Sequence, residues 1–137
     1  MWIIFHFDHI RRNKKRGEKM ELIRMENENG IGPFHGNFST KLSIEKHEKW
    51  INHSKNLPCP EDDNIDSMSN IYHCAAIDKN QLMLWFKDFL EDLYNEGFRA
   101  VIYSINDDFC KIGYTQVIFV KENAKKIREL SQGELIQ

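Results

Sequence analysis

The stretch from Asp78 to Ile105 constrains the fold most. Asp78 is a strong helix N-cap, and Gln81, three residues on, completes a capping-box-like pattern. Leu82, Trp85, Phe86, Phe89 and Leu93 then recur at helical spacing on one face, and Gly97 stands where a helix ends on a C′ glycine. "FRAVIYSI" (98–105) follows at once, β-branched and aromatic, and reads as a strand. "NDD" (106–108) turns the chain, and "YTQVIFV" (114–120) is a second strand, expected to run antiparallel to the first.

Shorter signals lie on either side. "ELIRM" (21–25) reads as a short, partly buried strand, and "GIGPF" (30–34) as a turn, because glycine permits positive φ while proline fixes φ and removes a donor. Residues 40–54 have helical spacing, with Ile44, His47, Trp50 and Ile51 on one face. A long loop (56–70) carries two prolines and the acids Glu61, Asp62, Asp63 and Asp66. "IYHCAA" (71–76) has the composition of a short buried strand, and a final helix is expected over about 122–131. With 137 residues there is room for one domain. The expectation is therefore a single compact α+β domain, largely antiparallel, with small sheets and two or three helices. Its core is expected to include Leu22, Trp85, Phe86, Phe89, Leu93, Val101, Tyr103, Val117 and Phe119.

Charge divides the chain. Six of its 19 basic residues (Arg11, Arg12, Lys14, Lys15, Arg16 and Lys19) fall within residues 1–19. From Met20 onward the balance is 13 basic to 19 acidic, or −6 (13 − 19). An acidic body makes general nucleic-acid binding by it an unfavoured reading. The basic run reads as a solvated tail or as a phosphate-binding arm. A third reading makes residues 1–19 a non-native extension. Arg16-Gly17-Glu18-Lys19-Met20 can be encoded by a purine-rich stretch resembling a bacterial ribosome-binding site, which would make Met20 the start. Cys59, Cys74 and Cys110 are an odd, widely spaced set, which fits a reducing compartment. The longest apolar stretches are far too short for a membrane span, and the cytoplasm is the expected location.

Chemistry-bearing patterns are sparse. His35, His47, His53, Cys59, His73 and Cys74 include no pair at the short spacing a zinc site uses, so no metal is expected. His73 and Cys74 are adjacent on a strand and point to opposite faces, so that histidine cannot activate that thiol. "GIGPF" lacks the Lys-Ser/Thr of a P-loop and the spacing of a dinucleotide fingerprint. What remains are polar residues in or beside apolar strands: Arg24, Tyr72 or His73, and Gln116. A buried arginine is costly to desolvate and needs a partner. Glu26, on the same strand face, is the local one. Arg24 is thus either half of a structural pair or a planar fork presented to a phosphate or ribose in a cleft.

The order of elements resembles that of small ADP-ribosyltransferase-like domains, including compact versions carried by phages and mobile elements. The likeness covers residues 21–120 and rests on "LIRME", "YHCAAIDKNQLMLWF" and "QVIF". The chain is also similar to small phage proteins that share R-x-E…G-x-G-P-aromatic and a closing Q-V-x-F. The resemblance implies an NAD-binding cleft between two small sheets. Arg24 would hold the pyrophosphate or ribose, Tyr72 would stack near the nicotinamide with His73 beside it, and Gln116 would occupy the place of the catalytic glutamate. No Ser-Thr-Ser element is present, and glutamine cannot act as a base, which leaves Glu26 as the candidate acid. The alternative, from another class, is a non-catalytic acidic binding protein of phage or mobile-element origin that inhibits a host protein.

Overall fold

Alternation along one strand decides the layering. The computed structural model describes residues 18–33, 72–113 and 116–137. Within these, β1 (Lys19–Glu26) pairs antiparallel with β3 (Arg99–Asn106), whose other edge takes β6 (Lys125–Leu130). A second antiparallel sheet has the order β2 (Tyr72–Ala75), β5 (Val117–Val120), β4 (Cys110–Ile112). A single antiparallel bridge, Ile23 with Ala76, ties the two sheets edge to edge, its two N–H···O bonds measuring 2.9 and 2.8 Å.

Side chains two apart on a strand share a face. Ile23 and Met25 of β1, with Ala100 of β3 and Leu130 of β6, pack under the helices in one core. Met20 and Leu22, with Val101, Tyr103 and Ile105, point the other way and meet Ala75, Val117 and Phe119 of the second sheet. The first sheet is thus the middle of three layers, helices on one side and the smaller sheet on the other.

The helical layer begins where the sequence places it. Asp78 accepts from Gln81 N at 2.8 Å and starts α1 (Lys79–Phe86). Gln81 Oε1 reaches back one residue further than a standard capping box, to Ile77 N at 2.8 Å. The helix is not continuous. A 3₁₀ turn (Lys87–Phe89) separates α1 from α2 (Leu90–Asn95) before the chain exits at Gly97 with φ of 91°. Three residues per turn eclipse positions i and i+3, which brings Phe86 and Phe89 onto one line into the core. All the expected core residues are buried except Trp85, which is half-buried and packs edge-on against Phe86 at 6.2 Å.

Two expectations are corrected. Strand β5 does not pair with β3: both edges of β3 are occupied by β1 and β6, and β5 lies in the other sheet. The side chain of Asn106 accepts from Asp108 N at 2.9 Å and starts a 3₁₀ turn (Asp107–Phe109) that leads the chain out of the first sheet into β4. The expected helix over 122–131 is instead a 3₁₀ turn (Lys121–Asn123), strand β6 and the short α3 (Gln132–Leu135). "AKKIREL" is rich in helix formers, but only Leu130 of β6 is buried, too little apolar surface to anchor a helix, and the open edge of β3 takes the backbone instead. The short α3 carries a full capping box between Ser131 and Glu134.

The expected helix at 40–54, the acidic loop at 56–70, Phe34 and residues 1–17 lie outside the described residues. Lys19 pairs with Asn106, and the carbonyl of Glu18 accepts from Asp107 N at 2.9 Å.

Candidate functional site: a buried polar network at the sheet junction

The inter-sheet row of β1 changes character toward its end. After Met20 and Leu22, Arg24 and Glu26 occupy the same face, only 8% and 5% exposed. Arg24 Nε donates to Glu26 Oε1 at 3.1 Å. Its Nη1 donates to the carbonyl of Cys74 in β2 at 2.8 Å, and its Nη2 to the carbonyl of Gly30 at 3.3 Å. Each guanidinium nitrogen therefore has an acceptor inside the protein. Glu26 is engaged as fully: Tyr103 Oη donates to its Oε2 at 2.7 Å, and Lys121 Nζ lies 3.2 Å from its Oε1. Lys121 also donates to Gly30 O at 3.1 Å and lies 5.7 Å from the centre of the Tyr103 ring.

The turn in "ENENGIGP" follows from this geometry. Asn27 Oδ1 accepts from the backbone of Asn29 at 2.9 Å and of Ile31 at 3.0 Å, folding an Asx-type turn. Gly30 then takes φ of 77°, left-handed backbone that favours glycine. That conformation turns its carbonyl to both cations. A Cβ at Gly32 would come within 3.3 Å of Arg24 Nη2, so the loop lies directly on the guanidinium.

Burial shifts two groups here. The Tyr103 hydroxyl is pushed well above its usual range, first by desolvation and then by its hydrogen bond to Glu26, which favours the protonated phenol. The Cys74 thiol is raised by burial, with Arg24 opposing. A thiol held protonated is a poor nucleophile.

The other candidates are dispersed. Tyr72 and His73, adjacent on β2, take opposite faces: Lys111 Nζ sits 5.1 Å from the Tyr72 ring centre, whereas His73 packs against Phe119 of the inter-sheet core at 6.4 Å. Gln116 is buried just before β5. Tyr72 pairs with Val120, four positions further along. That separates Tyr72 and Gln116 by roughly 13 Å of strand, at opposite ends of the β2–β5 pair. The structure thus joins Arg24 to Glu26, and sets Tyr72 and Gln116 apart. It adds two members that sequence reasoning missed. Tyr103 faces Leu22 across the ladder and is read from sequence only as core. Lys121 is 91 positions from its Gly30 partner, and no local pattern signals that contact.

Among the described residues no group of three or more His, Cys, Asp or Glu is placed to hold a metal ion. His35, His47, His53 and Cys59 lie outside the described residues. No described helix is long and apolar enough to cross a membrane.

No curated protein and no solved structure matches the chain. A family model described as the bacteriophage T4 Y00F protein matches residues 20–132. The match takes in both segments that carry the phage resemblance, "LIRMENENGIGPF" and "QVIF", and is silent on ADP-ribosyl transfer and on NAD. The chain belongs to the bacteriophage T4 Y00F protein family.

Proposed function

We propose that this phage protein is a non-catalytic binding protein that acts by occupying a host protein. The observation that carries this reading is that all three guanidinium nitrogens of Arg24 already donate within the protein. An arginine that recognises a pyrophosphate must offer its fork to the ligand. Here Nε, Nη1 and Nη2 are engaged by Glu26, Cys74 O and Gly30 O, and Glu26 is in turn engaged by Tyr103 and Lys121. For an NAD-dependent transferase, Arg24 and Glu26 would have to part, breaking a charge pair whose members are only 8% and 5% exposed. The separation of Tyr72 from Gln116 points the same way, since stacking and catalysis on one nicotinamide ribose call for both in one cleft.

The test has two arms. A tagged chain produced in host cells should co-purify with a host protein in fixed stoichiometry and leave no ADP-ribose on it. Millimolar NAD should leave the melting temperature unchanged, since only a ligand of the native state raises it. A rise with NAD that disappears in a folded Arg24→Lys protein would overturn the binding reading and restore the transferase. Absence of any stoichiometric host partner would sink the binding reading by itself.

A further inference from the structure

The helices cover the middle sheet only in part. Beyond the start of α1 the sheet face opens into a groove of about 490 Å³, a volume in the range of small-ligand sites. Its floor is apolar: Ile23, Ile77, Ile102 and Leu130. Five charges line it: Glu21, Asp78, Lys79, Arg128 and Glu134, a net charge of −1. They are not equivalent. Arg128 Nη1 is 2.8 Å from Glu134 Oε2, and Lys79 Nζ donates to the Glu134 carbonyl at 3.4 Å, so both bases are held by one residue of the C-terminal turn. The acids of the other wall have no cation on them among the described residues. Glu21 lies two residues before Ile23, and Asp78 two residues after Ala76, so the antiparallel bridge brings both to one wall. One oxygen of Asp78 caps Gln81 N, and the second is left for another donor.

We propose that this groove receives a segment of the host partner in which an apolar side chain lies beside a lysine or arginine. The inference rests on the binding-protein reading and names where and what it binds. The apolar side chain would extend the isoleucine floor, and the cation would supply the charge that Glu21 and Asp78 lack, in the manner of a rim that selects partners by sign. A flat acidic surface would bind cations without regard to the neighbouring residue. An apolar floor under one acidic wall requires both features together.

The probe is a short peptide with the centre Leu-Lys-Arg-Leu, compared with peptides in which the pair is Glu-Glu or the leucines are serines, using protein labelled at isoleucine methyls. The Lys-Arg peptide with leucines should shift the methyls of Ile23, Ile77 and Ile102, and the other two should not. Glu21→Gln with Asp78→Asn, which keeps an N-cap side chain, should weaken that binding roughly three- to tenfold. Equal binding of the Glu-Glu peptide, or no movement of these three methyls, overturns the proposal. If a stoichiometric host protein remains bound to the double variant as tightly as to the wild type, the groove assignment fails while the binding-protein reading stands.

Discussion

The two faces of the middle sheet are built from alternate residues of the same strands, and they close in opposite ways. On the helix side Met25 sinks into a dry cluster with Phe86, Phe89, Leu90 and Leu93, at whose edge Ile23 lies. On the other side Met20 and Leu22 begin an apolar row that ends in Arg24 and Glu26, bonded to Tyr103, Lys121 and the Gly30 carbonyl. The dry face is stabilised by area and shape, at about 25 cal/mol per Å² of apolar surface buried. The polar end works by pairing, and each member depends on the rest. It also opposes slippage: moving β1 by one residue would turn Arg24 into the helix-side core, where its charge has no partner.

The largest expected effect comes from the dry face. Phe89→Ala removes a ring that is 3% exposed and leaves a cavity between helix and sheet. It should cost about 3–5 kcal/mol, read as a lower urea midpoint at unchanged slope. Coincident melts would show that the helices contribute little to the fold and would erase the contrast between the faces.

The polar end should respond in a way no dry face can. Arg24→Met leaves Glu26 buried with Lys121 and Tyr103 alone and should cost about 3 kcal/mol. Adding Glu26→Leu to it should cost less than Glu26→Leu costs alone, because the Arg24–Glu26 pair is already broken. Two losses that simply add would mean that the pair is not coupled, and that the two faces differ in composition but not in kind.

Below these comes Gly30→Ala. Its φ of 77° forces an alanine into left-handed backbone, and the added Cβ would run into Lys121 Nζ. The lysine end can swing away, so the backbone term dominates, at about 1–2 kcal/mol. A neutral substitution would show that the carbonyl of Gly30 is not tied to the two cations.

Local physics explains what was legible in the sequence. Asp78, Gly97, the apolar stripe of the helix and the strand 98–105 are written in one continuous stretch with signals at short spacing, and the Arg24–Glu26 pair follows from period-two spacing. Pairing between distant segments was not legible. "AKKIREL" favours a helix by propensity and becomes β6 because β3 offers an edge. β3 and β5 are separated in the chain only by a 3₁₀ turn and the short β4, yet the turn at Asn106 sends them to different sheets. Lys121 enters the network from a 3₁₀ turn with no pattern of its own.

The smallest effect isolates the hydroxyl that joins the apolar row to the polar end of the inter-sheet face. Tyr103 packs its ring against Phe119 at 5.7 Å within the apolar row and gives its O–H to Glu26. Tyr103→Phe keeps the ring and should cost about 1 kcal/mol near neutral pH, the net worth of one such bond. Its clearer mark is on pH dependence. The folded phenol titrates above its unfolded value of 10.0. Above that value the unfolded chain gives up this proton while the native state keeps it, so the native state binds more protons and stability falls as pH rises. In urea melts followed upward from pH 9, the wild type should lose stability more steeply than Tyr103→Phe, whose remaining slope includes Tyr94, raised by burial in the same direction. Parallel curves for the two proteins would show that the bond to Glu26 does not hold the proton on Tyr103.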